Sequence, residues 1–134
     1  MKILLFLVSM TGWPILPAET FVDISPGTIP LVLSAPHGGV EKPAGVPDRT
    51  SGVLVRDTNT RELALELAAE IEKETGGIPF VITNRMHRIK MDPNRPVEEA
   101  TQGGVFAAMV YRTYHHALAE ACQQALNIGG GDAL

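Results

Sequence analysis

The chain has 134 residues, which is the length of one domain. Its formal net charge of -4 and its aromatic content of 5% argue against nucleic-acid binding, which uses a basic surface and stacking side chains. The single cysteine, Cys122, excludes an internal disulfide framework and a cysteine-rich zinc site. An apolar content of 45% and a charged content of 19% are typical of a folded globular protein.

The N-terminal segment has the order of a secretory signal peptide. Lys2 gives a positive start, an apolar run extends from Ile3 to Met10, and Ala18 follows two helix-breaking prolines. The run is shorter than the roughly 20 residues that a membrane-spanning helix needs. We therefore predict a signal peptide over residues 1–18, a mature chain beginning near Glu19, and a secreted or periplasmic protein without stable membrane insertion. The alternative is a buried first strand, with a cytoplasmic location.

Strand and helix patterns alternate after this segment. Apolar runs over Ile29–Ala35 and Ile78–Thr83 predict two buried strands. Helical periodicity predicts one helix from Asn59 to Thr75 and another from Gly104 to Leu126. This order predicts an α/β fold with a parallel or mixed sheet flanked by helices, formed by one domain over residues 19–134.

The helical patterns also predict which side chains are buried. In the first helix, the stripe of Leu63, Leu67 and Ile71 is expected to face the sheet. In the second helix, Cys122 is expected to be buried.

The stretch SAPHGGVEKP places His37 and Glu41 just after the first predicted strand. Function in open α/β sheets gathers at the carboxyl ends of strands. The two intervening glycines allow a tight turn, so that an imidazole and a carboxylate on one loop can both reach a zinc ion. The alternative is a chance His-x-x-x-Glu pair without function, which is common for such a short pattern. The strand end, the proline and the paired glycines favour the zinc site.

Four segments in this order, SAPHGG, DTNT, KMDPNRP and YRTYHHAL, resemble the N-formylglutamate amidohydrolase family and its phage poly-γ-glutamate hydrolase relatives. The resemblance extends from about Leu31 to Leu126. It implies a zinc carboxypeptidase-like fold, a Zn²⁺ cofactor, and hydrolysis of an amide bond next to a carboxylate. It also implies that His37 and Glu41 are zinc ligands.

The family's third ligand is a histidine on a later strand, in a segment of the Asp-x-His-Gly kind. That segment and the family's late general-base glutamate have no counterpart in this sequence. We therefore expect the chain to end inside its fold, and we leave its catalytic residues unassigned. Two functions remain open: a zinc-dependent amidohydrolase, and a non-catalytic remnant that binds carboxylates without a complete metal site.

Other matched residues have their own chemical interpretations. Asn94 and Arg95 follow the turn-forming pair Asp-Pro, and an arginine fork binds a carboxylate through two hydrogen bonds. We predict that Arg95, Asn94 and Arg49 contact a small amide or peptide substrate that carries a carboxylate. The alternative for each arginine, including Arg88, is an ordinary solvated or ion-paired side chain. Asp57 either orients a metal ligand from behind or favours the dipole of the helix that follows it.

Three further histidines compete for the third ligand position. His116 falls on the polar stripe of the second helix, and His115 falls on a stripe that favours packing. His87 lies beyond the second strand, but its arginine neighbours would repel a dication. None of the three is assigned as a ligand.

Overall fold

The structure is a computed structural model that describes residues 16–130. A short 3-10 helix, Ala18–Phe21, leads into strand β1. The elements in chain order are β1 (Val22–Ser25), β2 (Val32–Ala35), α1 (Thr60–Thr75), β3 (Phe80–Asn84), α2 (Val97–Thr101) and α3 (Val105–Ile128).

The strands form one mixed sheet in the order β1-β3-β2. β1 runs antiparallel to β3, with Val22 opposite Asn84, and β2 runs parallel to β3, with Val32 opposite Phe80. All five residues of the central strand β3 are buried. The predicted α/β class with a mixed sheet and helices is confirmed at this level.

The main core lies between α3 and one face of the sheet. Phe80 and Ile82 of β3 point into it, and Phe21 packs edge-on against Phe106 with ring centroids 5.8 Å apart. On the opposite face, Thr83 donates a hydrogen bond to Asp23. The face of α3 that reaches the core is built mainly from small side chains, which allow a close approach: Ala107, Val110, Tyr114, Ala117, Ala121 and Ala125.

The prediction that the leucines of α1 face the sheet is wrong. Leu63 is 63% exposed and Leu67 is 46% exposed, whereas Ala64 is buried. At about 100° per residue, Ala64 and Ile71 point in nearly the same direction, and the two leucines lie 60–100° away from Ala64. The helix therefore contacts the sheet through its alanine side.

The predicted burial of Cys122 is also wrong, because this residue is exposed. Ala121 and Ala125 of α3 face the core. Cys122 follows Ala121, so its side chain points about 100° away from that of Ala121 round the helix.

Most of the predicted signal peptide lies outside the described residues, which begin at Leu16. Ala18, its predicted last residue, is 5% exposed and belongs to the hydrophobic core. Among residues 16–130, no helix has both the length and the apolar character needed to cross a bilayer.

Candidate functional site

His37 lies two residues after the end of β2 and forms the centre of a buried polar cluster. Its Nε2 atom is 2.6 Å from Oδ1 of Asp92, and its Nδ1 atom is 3.2 Å from Oδ2 of Asp57. The imidazole thus bridges two carboxylates. A neutral imidazole can donate a hydrogen bond to one of them, and the doubly protonated ring can donate to both.

Asp92 is the buried carboxylate of this cluster, with no exposed surface. Burial, the largest influence, acts to raise the pKa of Asp92. Hydrogen bonds from Arg88, from His37 and from the backbone N–H of Asn94 outweigh it and hold this pKa below its ordinary value. The Arg88 Nε–Asp92 Oδ2 distance is 2.9 Å. Asp92 is therefore a charged anchor fixed from three sides.

Asp57 is the solvent-facing carboxylate of the cluster. Its side chain is 50% exposed, and its Oδ1 atom lies 3.6 Å from Nη1 of Arg88. Its backbone N–H donates to the carbonyl of His37, which ties the segment before α1 to the histidine turn. Asp57 thus contacts His37 directly and also precedes α1, and the two predicted interpretations of Asp57 stay open.

Glu41 has different partners from those of His37. Its carboxylate is 3.2 Å from Nη2 of Arg85, and its backbone N–H donates to the Arg85 carbonyl. The carboxylate lines an open cleft of about 90 Å³, and His37 is not among the lining residues: Gly38, Gly39, Val40, Glu41, Arg61, Glu62 and Arg85. Sequence reasoning expected His37 and Glu41 to converge, and the structure gives their side chains separate contacts.

The paired glycines of this turn are needed for close packing. A Cβ atom on Gly39 would lie 2.4 Å from the backbone carbonyl carbon of Arg85, and one on Gly38 would lie 2.6 Å from the Arg61 nitrogen. Only glycine lets the turn approach both β3 and the start of α1 this closely.

The contacts of Arg49 differ from those expected of a substrate-binding side chain. The side chain is buried, and its N–H groups donate to the backbone carbonyls of Ser51, Val53, Arg88 and Glu99. Burial lowers the pKa of its guanidinium. Because four carbonyls occupy its donors, Arg49 joins loops together and has no free fork for a carboxylate.

Asn94 and Arg95 lie on the exposed loop between Asp92 and α2. Arg95 is exposed, and its guanidinium makes no ion pair with another residue of the described chain. The backbone carbonyl of Arg95 accepts a hydrogen bond from the hydroxyl of Tyr111 on α3. The structure thus displays Arg95, whereas it buries Arg49.

Of the other three histidines, two are held in hydrogen bonds to the backbone and one is exposed on α3. Nδ1 of His87 accepts the Ile89 N–H, so its neutral ring carries the proton on Nε2 and has no second lone pair for a metal. Nε2 of His115 donates to the Pro93 carbonyl, and His116 is exposed. Over residues 16–130, no three or more His, Cys, Asp or Glu side chains form a group that could hold a metal ion.

Sequence reasoning treated Asp92 only as part of a turn and so missed the residue that holds His37. The signal for it is the single acid among the three basic residues of RIKMDPNR, which lies four residues after Arg88. Comparisons with models of protein families, with curated proteins and with solved structures find no match to this chain.

Proposed function

We propose that this chain forms the metal-binding part of a zinc-dependent hydrolase of the N-formylglutamate amidohydrolase kind, with a zinc carboxypeptidase-like fold. Its substrate would carry an amide bond next to a carboxylate. The observation that supports this proposal most is the contact of His37 with the buried carboxylate of Asp92. Histidines that bind metals through one ring nitrogen commonly donate the other N–H to a carboxylate.

The donor set around His37 fits zinc. Nε2 is held by Asp92 on the buried side, which leaves Nδ1 facing the half-exposed Asp57 at 3.2 Å. Two ligand atoms of one tetrahedral zinc ion lie about 3.3 Å apart, given bond lengths near 2.0–2.1 Å. His37, through Nδ1, and Asp57, through its carboxylate, are therefore the two residues that would hold a zinc ion.

Asp57 is accordingly the better carboxylate ligand, in place of Glu41. Glu41 is 3.2 Å from Arg85 and would have to leave this ion pair to reach a metal. Asp57 already contacts Nδ1 of His37, and its ion pair with Arg88 is longer, at 3.6 Å.

The remaining residues of the site would bind and orient the substrate. Zinc, when bound, polarises a carbonyl and activates water near neutral pH. Arg95 offers a free guanidinium fork to the substrate carboxylate, and Asn94 lies beside it on the same exposed loop. Arg88 keeps Asp92 charged, which holds the imidazole of His37 in one orientation.

His37 and Asp57 supply two protein ligands, whereas catalytic zinc sites normally use three. We therefore expect the 134-residue chain to bind zinc weakly and to show no measurable amidase activity by itself.

A second candidate function is a non-catalytic carboxylate-binding module. Both ring nitrogens of His37 are paired with carboxylates, which is an arrangement that can serve as a structural ion cluster without a metal. In that case Arg95 would still bind a carboxylate, and zinc would not affect the protein.

Calorimetric titration with zinc tests the proposal. The intact chain should bind one zinc weakly, His37→Ala should bind none, and the exposed control His116→Ala should match the intact chain. Absence of zinc binding, combined with N-formylglutamate binding that Arg95→Ala removes, would overturn the proposal in favour of the carboxylate-binding module.

A further inference from the structure

We infer that Tyr111 and His115 of α3 are positioning residues, which hold the loop Asp92–Arg95 and thereby fix the carboxylate behind His37. The inference deepens the proposed function, and only its consequence for zinc affinity depends on that function. It gives a role to the segment YRTYHHAL, which the zinc site itself does not use.

Two side chains one helical turn apart reach the same loop. The hydroxyl of Tyr111 donates to the backbone carbonyl of Arg95 at 2.9 Å, and Nε2 of His115 lies 2.8 Å from the carbonyl of Pro93. Since a carbonyl only accepts, this ring must carry its proton on Nε2. The i, i+4 spacing puts both donors on one face of α3.

The loop passes this restraint to Asp92 through a shared oxygen. The backbone N–H between the two held carbonyls, that of Asn94, donates to Oδ1 of Asp92 at 2.9 Å. The same oxygen accepts the 2.6 Å hydrogen bond from His37. A shift of the loop would therefore move or release the carboxylate oxygen that orients the imidazole.

Packing limits the movement of the His115 ring. Its centroid lies 4.3 Å from that of Tyr111 and 5.5 Å from that of Tyr114, which is buried. The ring is thus held between two aromatic neighbours, and its Nε2–H has one orientation towards the loop. A side chain that only stabilised α3 would not need an N–H group that points to the loop.

The decisive variants replace His115 by leucine, which cannot donate, and by glutamine, whose amide N–H can donate to the Pro93 carbonyl. His116→Leu is the matched control, because His116 is the next residue along α3, its side chain is 78% exposed, and its ion-pair partner is Glu120 of the same helix. Tyr111→Phe removes only the hydroxyl on the other carbonyl.

The first readout is the nuclear magnetic resonance signal of the His37 Nε2 proton, which needs no metal. We expect a low-field resonance in the intact chain, its loss or broadening in His115→Leu and Tyr111→Phe, and its recovery in His115→Gln. The second readout is zinc affinity, which His115→Leu should weaken about tenfold, as for other outer partners of metal ligands.

An unchanged His37 resonance in folded His115→Leu and Tyr111→Phe would overturn the inference. If the resonance responds as expected but the intact chain binds no zinc, the positioning role stands and the proposed function fails. A His116→Leu variant that loses the resonance equally would also refute it, because the effect would then be a general loss of helix stability.

Discussion

His37 and Asp92 are 55 positions apart in the sequence, and their side chains meet in a buried hydrogen bond of 2.6 Å. The bond joins the turn after β2 to the loop after β3. Since these two strands are parallel neighbours, their carboxyl ends lie at the same edge of the sheet. The polar cluster is thus a direct consequence of the strand order.

Replacing Asp92 by asparagine should destabilise the fold strongly. The change leaves His37 and Arg88 without their shared buried counter-charge. Removing one partner of a buried ion pair costs about 3–5 kcal/mol. Urea denaturation at pH 7 measures the change, and Glu70→Gln on the exposed face of α1 is the control that should have little effect. A loss no greater than that of the control would show that Asp92 is not an anchor.

The Gly39→Ala variant should lose stability, whereas Gly45→Ala should not. The added methyl on Gly39 meets the backbone of Arg85 at 2.4 Å, and the one on Gly45 meets nothing within 4 Å. Overpacking of this kind costs about 1–3 kcal/mol. Thermal melting of the two variants side by side checks the difference, and equal melting temperatures would contradict the packing of this turn.

Arg49→Lys is expected to destabilise the fold, although the substitution keeps the positive charge. A lysine cannot reproduce the fork that joins the carbonyls of Ser51, Val53, Arg88 and Glu99. Leaving the buried carbonyl of Arg88 without its donor should cost about 2 kcal/mol. Chemical denaturation gives the value. If Arg49→Lys were as stable as the intact chain and bound N-formylglutamate less well, Arg49 would be a ligand residue after all.

Acidification should weaken the fold through His87. Burial, together with the charges of Lys42 and Arg56, lowers the pKa of His87 below its usual value of 6.5. The unfolded chain therefore binds this proton more readily, so stability is full above pH 6.5 and falls as the pH drops below it. His87→Asn keeps an acceptor for the Ile89 N–H and removes the titration. Its stability should depend less on pH between 7 and about 5 than that of the intact chain, and an identical pH dependence would argue against this role.

The long, strongly patterned elements could be predicted from the sequence. The apolar runs gave β2 and β3, and helical periodicity gave α1 and α3, with ends within a few residues of those observed. β1 was missed because its four residues, Val22–Ser25, form a strand only by pairing with β3. α2 was missed because five residues show no helical period.

The site was predictable only in part. His37 could be found because a proline and two glycines mark its turn. Its partner Asp92 could not, because the contact depends on the parallel pairing of two strands. Arg49 and Arg95 carry the same side chain, and their different environments come from loop packing that no local pattern records.

Anomalous diffraction from crystals grown with zinc would test the central claim most directly. We predict one zinc peak within bonding distance of Nδ1 of His37 and the carboxylate of Asp57, with Nε2 of His37 still donating to Asp92. A peak bound to Glu41 but not to Asp57, or zinc-containing crystals with no peak at His37, would contradict this account.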